Sequence, residues 1–147
     1  MSTDQPVWFE PPDLLGVAEL AKNSLIERLG IEVLDVGPDW LSGRMPVDRR
    51  TCQPFGVLHG GASVALAETL ASLASTFVVD KSRFFCVGLE VNANHLRPAR
   101  EGYVQAVVRA VQLGKRIHVW DVRINDDRQR PVCISRVTMA VVEGRTG

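Results

Sequence analysis

Residues 56–72 read GVLHGGASVALAETLAS, and this stretch decides the fold. Val64, Ala65, Leu66, Ala67, Leu70, Ala71, Leu73, Ala74, Phe77 and Val78 cover nearly every direction around a helical axis. A helix that is apolar all round is one buried on most sides. Its many alanines let other elements come close. The pattern therefore predicts a central helix over about residues 61–78 with one sheet curled around it. A single charge interrupts the run, at Glu68.

On the N-terminal side, Leu14, Val17, Ala18, Ala21, Leu25 and Leu29 recur at helical spacing and Gly30 stands where a helix stops, which predicts one amphipathic helix over 13–29. IEVLDVG (31–37) and WLSGRMPV (40–47), joined by Gly37-Pro38-Asp39, predict a hairpin. On the C-terminal side, extended runs are expected at about 84–97, 102–112, 115–125 and 131–142, with breaks at Pro98, Gly102, Gly114 and the polar turn 126–130. In YVQAVVRAVQ (103–112), Val104, Ala106, Val108 and Ala110 alternate with a more polar set, so that strand has one dry face. The fold class is α+β, an antiparallel sheet with few helices. A chain of 147 residues, 46% hydrophobic, fits one domain spanning 1–147.

Composition excludes several functions. Seventeen basic residues balance seventeen acidic ones, so no broad basic face argues for nucleic acid or a membrane surface. The start, MSTDQPVWFEPPDLL, lacks a positively charged segment followed by an apolar one, and no apolar run approaches the roughly 20 residues of a membrane span. A cytoplasmic protein is expected. Cys52, Cys86 and Cys133 fit neither a disulfide framework nor CxxC spacing and read as buried reduced thiols. Three scattered histidines add no ligand set, so neither a metal nor a cofactor is expected. A GxSxG elbow is absent, which argues against a serine hydrolase.

Glu68 needs a reason to be where it is, because glutamate is almost never fully buried unless paired. Ser72 one turn later, then Ser75 and Thr76, continue a polar stripe from it. The carboxylate either reaches solvent, pairs with an arginine at a subunit contact, or does chemistry. His59-Gly60-Gly61 leads directly into the helix, leaving N–H groups without intrahelical partners at the positive end of the dipole and unshielded by a Cβ. Such a terminus can polarise a carbonyl, and it can equally be a plain glycine turn. Gln53 can donate an amide to the same acceptor or be an ordinary loop residue. His59 can carry a proton or simply cap the helix.

Together, QPFGVLHGGASVALAETLAS, VGLEVNANHLRPAREG and LGKRIHVWDVRI resemble the hotdog-fold acyl-CoA thioesterases, in particular the bacterial branch acting on aromatic acyl-CoA thioesters such as 4-hydroxybenzoyl-CoA and 1,4-dihydroxy-2-naphthoyl-CoA. The similarity runs from about residue 30 to 142. It implies a hotdog fold and hydrolysis of an aromatic or medium-chain acyl-CoA to the free acid and CoA. It also implies that Glu68 is the nucleophile or general base and that the Gly60 N–H polarises the carbonyl. Gln53 and His59 then assist at the carbonyl, and Ser72 places water or the leaving group. Substrate and CoA contacts fall on Gly88, on His95, Leu96, Arg97 and Pro98, and on the loop Gln112, Gly114, Lys115, Arg116 and Ile117. That loop departs from close relatives, which carry histidine at positions 112 and 117 and serine at 115. Arg97, Arg100, Lys115 and Arg116 are expected to cluster at neighbouring strand ends and hold the CoA phosphates. Other readings are an acyl-thioester hydratase or dehydratase of the same fold, and a non-catalytic acyl-CoA sensor, which would not need Glu68.

Gly60 and Glu68 are eight residues apart, so they stand ~12 Å apart along one helix. A glutamate cannot reach a carbonyl bound at its own helix's first turn. If both act on one thioester, the terminus comes from a second copy, across a twofold axis. The resemblance likewise implies homodimers with two-chain sites that pair into homotetramers.

Overall fold

The computed structural model describes residues 5–144; the outermost residues of the expected 1–147 domain, 1–4 and 145–147, lie outside the described residues. Three helices, α1 (Leu14–Leu20), α2 (Leu25–Leu29) and α3 (Gly60–Val78), accompany six strands. The strands are β1 (Glu32–Val36), β2 (Trp40–Pro46), β3 (Phe84–His95), β4 (Tyr103–Leu113), β5 (Ile117–Asp126) and β6 (Pro131–Glu143). They form one sheet in the order β1-β2-β4-β5-β6-β3, and every neighbouring pair is antiparallel.

The long helix lies against the sheet, touching β2 to β6, as its apolar circumference requires. Leu66, Ala67, Leu70, Ala71 and Ala74 are fully buried, and Val104, Ala106 and Val108 present the dry face of β4 to the same core. At Gly43 on β2 the approach is so close that a Cβ would lie 2.8 Å from Leu70 Cδ2. This helix also corrects one expectation: by length and composition Gly60–Val78 is apolar enough to cross a membrane. Half of it is buried in the fold, less than the burial on most sides that the pattern predicts, and core helices meet the same criterion.

The expected helix over 13–29 is in fact two. Asn23 adopts the left-handed region (φ 60°), which asparagine tolerates, and Ser24 restarts the helix by accepting the Ile26 N–H at 3.2 Å. Gly30 ends α2 in the left-handed conformation (φ 68°), as its position predicts. The hairpin at 31–47 and the four C-terminal strands form where the alternation places them.

β3 is a sheet edge of 12 residues. Phe85, Val87 and Leu89 on it are exposed, and its pairing with β6 is interrupted by a bulge between Gly88 and Glu90. Natural proteins rarely leave a long apolar edge uncovered, and bulges recur beside active sites.

Candidate active site

The loop before α3 is tied on three sides. His59 N–H donates to the Thr51 carbonyl, Leu58 N–H to Ala99, and Gln53 N–H to Val57, each at 2.8 Å. These bonds hold Gln53 beside the start of α3. Its carbonyl Oε1 accepts the Phe55 N–H, which leaves the amide NH2 free to donate. His59 is the helix N-cap: Nδ1 accepts the Gly61 N–H at 2.8 Å, and the ring is exposed. The capping alternative is therefore its observed contact. Among the described residues the Gly60 N–H has no acceptor.

Gly60 lines a cavity of about 390 Å³ with Gln53, Ser63, His95, Leu96, Arg97 and Pro98. The His95 ring sits over Gly60, where a Cβ would come within 2.9 Å of Nε2. Glycine is needed here for close approach rather than for an unusual torsion. His95, given by the resemblance to substrate or CoA binding, thus also stands at the helix terminus. Leu96 and Arg97 N–H groups share the Val132 carbonyl (2.8 and 3.4 Å), which turns the chain off β3 and sets Arg97 at the cavity rim.

Glu68 is half-buried in a second cavity, about 400 Å³, with Leu25, Ile26, Thr69, Ser72, Leu73 and Thr76. Among the described residues it has no ion pair and no hydrogen bond. Oε1 rests against Gly88, where any Cβ would collide with it. Gly88 makes room for the carboxylate. The polar stripe divides: Ser72 and Thr76 face the cavity, whereas Ser75 is fully buried and accepts the Trp120 Nε1–H at 2.7 Å, with His118 Nδ1 at 3.0 Å. Burial holds His118 below the ordinary histidine value, against a hydrogen bond with the Gly114 backbone that raises it.

One expected cluster does not form in the chain. Arg97 bonds to Val132 at the start of β6, whereas the Arg116 carbonyl accepts from Val141 near its end. Nine strand residues separate these points, ~30 Å. Arg97 and Arg100 therefore share one end of the sheet, and Lys115 and Arg116 stand at the other. The whole of β4, Tyr103–Leu113, runs between the two breaks. Gly114, Lys115 and Arg116 line a separate cavity of about 910 Å³ with Arg83 and His118, which Gln112 and Ile117 do not line.

The cysteines are only partly as expected: Cys133 is buried, but Cys52 and Cys86 are half-buried. Burial pushes the Cys86 thiol up to about 11, so it is no nucleophile. Sequence reasoning missed Ser63, Thr69, Leu25 and Ile26. Helical spacing from Gly60 and Glu68 points to Ser63, Thr69 directly follows Glu68, and nothing local tells where α2 docks.

The thioesterase superfamily profile matches residues 55–133. The chain is similar to the thioesterase PA1618 of Pseudomonas aeruginosa, whose crystallised variant superposes with a TM-score of 0.93 at 53% identity over 94% of this chain and 99% of that one. The thioesterase HI1161 of Haemophilus influenzae matches with a TM-score of 0.90 at 45% identity, covering 93% and 95% of the two chains. The 1,4-dihydroxy-2-naphthoyl-CoA hydrolase of Escherichia coli strain K12 is 42% identical over 136 residues, 92% of this chain and 99% of that protein.

Proposed function

The chain belongs to the thioesterase superfamily and has its hotdog fold, and from that premise we propose that it hydrolyses an acyl-CoA thioester with Glu68 as the central group. The observation that carries the reading is an unpaired, half-buried carboxylate in a hydroxyl-lined cavity, on the same helix that offers a free N–H at Gly60. The Gly60 N–H and the Gln53 amide polarise the thioester carbonyl, stabilising the charge that grows on its oxygen. Glu68 either attacks the carbonyl carbon or takes a proton from the attacking water. In the direct route the C–S bond breaks as the acyl carbon bonds a Glu68 oxygen, and water then splits that anhydride. In the other, water's oxygen bonds the acyl carbon as the C–S bond breaks, and in both the thiolate leaves as the free thiol after protonation. Ser72 positions the water or the sulfur.

Gln53, Gly60 and His95 line one cavity and Glu68 lines another, which supports a site assembled from two copies, each giving its helix terminus to the other's Glu68. The exposed apolar edge of β3, next to Glu68, is a suitable surface for that contact. Leu25, Ile26 and Leu73 with the hydroxyls of Thr69, Ser72 and Thr76 favour an aromatic or medium-chain acyl group. The E. coli hydrolase named for a dihydroxynaphthoyl thioester supports the aromatic choice.

A screen of acyl-CoA thioesters for free-thiol release tests the activity, and Glu68→Gln tests the mechanism. The amide keeps the shape and removes the base, so kcat is expected to fall at least ~100-fold. Near wild-type turnover in that variant would sink the assignment.

A further inference from the structure

Two cavities meet at one side chain. Ile26, on α2, lines the Glu68 cavity and also an apolar groove of about 430 Å³ between the two short helices and β1, walled by Leu14, Val17, Ala18, Ala21, Ile31 and Val33. Three charged side chains stand around that groove, and each is committed within the chain. Lys22 pairs with Glu19 and Glu32 with Arg44, both at 2.7 Å, while Glu27 Oε2 accepts the Asn23 N–H at 2.6 Å. The other lining side chains are hydrocarbon. Such a groove suits an alkyl chain, whose transfer out of water needs no polar partner.

The partition between the two cavities is held at both ends. Ser24 Oγ accepts the Ile26 N–H at 3.2 Å and donates to the Ala21 carbonyl at 2.5 Å, which fixes the start of α2 on the end of α1. At the far end the Ile26 carbonyl accepts the Ile31 N–H and the Glu27 carbonyl accepts the Gly30 N–H, each at 3.0 Å, so α2 leads directly into β1. Between these ties the half-buried Ile26 side chain packs on the core, and a β-branched residue in a helix has little freedom to swing aside. Leu25, the other α2 residue in the Glu68 cavity, does not line the groove.

We infer that Ile26 sets the length of acyl group this chain accepts: it ends the pocket beside Glu68, and the groove behind it is a second alkyl compartment closed to substrate. The inference rests on the acyl group lying at Glu68. A short or ring-shaped acyl group fits in front of Ile26, whereas a long straight chain runs into it. Removing that side chain joins the two cavities and turns the specificity toward long-chain acyl thioesters.

Isothermal titration of the full chain with S-butyl-CoA and S-dodecyl-CoA, thioethers that cannot be hydrolysed, reads the pocket's length apart from turnover. The wild type is expected to bind the two comparably, because carbons beyond Ile26 find no apolar partner. Ile26→Ala is expected to favour S-dodecyl-CoA over S-butyl-CoA by at least ~10-fold, the lower end for one methylene recognised in an apolar pocket. Adding Ala18→Trp, which fills the groove, is expected to return the ratio to the wild-type value. If Ile26→Ala fails to fold, Ile26→Val is the smaller cut and is expected to move the ratio in the same direction. An unshifted ratio in a folded variant, or a shift that survives Ala18→Trp, would overturn the assignment. So would a wild-type chain that already shows the preference expected of Ile26→Ala. Turnover is scored separately with the matching acyl-CoA thioesters. A ratio that follows Ile26 while no acyl-CoA releases thiol leaves the partition standing and removes the hydrolase reading. Hydrolysis combined with an unshifted ratio removes the partition alone.

Discussion

Gly88 and Glu68 act as a pair, since the glycine leaves the only space the carboxylate occupies. Gly88→Ala adds one methyl where Oε1 now lies, while any residue accepts the extended backbone of β3. The side chain must swing away, and displacement of a reacting group by about 1 Å costs on the order of 100-fold. We expect kcat to fall by ~10- to 100-fold with the thermal midpoint little changed; turnover equal to wild type would show that the carboxylate position does not matter. His118 gives a separate residue-scale prediction. Its folded value is depressed by burial, so between that value and the unfolded one near ~6.5 the unfolded chain binds more protons and stability rises with pH. The contribution is complete above the unfolded value and is lost as pH falls through the folded one. The urea midpoint should therefore drop between about pH 7 and pH 5, and His118→Gln should flatten part of that slope. An identical slope in the variant would mean other groups set it.

At the scale of elements, the contact of α3 with β2 depends on a missing side chain. A Cβ at Gly43 would stand 2.8 Å from both Leu70 Cδ2 and the Glu32 carbonyl oxygen. Leu70 can rotate, but the Glu32 backbone cannot yield without disturbing the β1–β2 hairpin. Gly43→Ala is expected to destabilise the protein by about 1–3 kcal/mol, the usual range for an overfilled core, measured by equilibrium urea unfolding. A neutral result would mean that the helix shifts freely on the sheet. The break at Asn23 belongs to the same scale. Periodicity continues through it because Val17 on α1 and Ile26 and Leu29 on α2 pack inward, although Leu25 is exposed, so the pattern alone reads as one helix. The signal lay in Asn23-Ser24, a left-handed residue followed by an N-cap.

For the whole molecule, the two cavities make a prediction about assembly. Glu68→Ala and Gln53→Ala chains should each be poorly active alone. In a mixed dimer one site carries both defects and the other neither, so co-expression with random pairing should restore about a quarter of the wild-type sites. If each site lay within one chain, every site would keep one defect. Mixed dimers verified by mass spectrometry yet inactive would therefore rule out the shared site.

Periodicity determined the central helix, the hairpin and the four long strands, because the burial demand of each element is written locally in its own side chains. The HGG turn and Glu68 were legible for a related reason: a helix terminus and its following turns are set by neighbours in sequence. Distances between elements were not. Arg97 and Lys115 look close when breaks are read in a row, yet an antiparallel strand between two breaks carries them to opposite ends of a sheet. Arg128 lines one cavity with Arg97 and Arg100 only because β4, β5 and β6 lie side by side, and Gly88 meets Glu68 only because the β3 edge crosses the helix. Strand order and helix docking arise from long-range pairing, and no local pattern encodes it; the tertiary structure alone decided which charges meet.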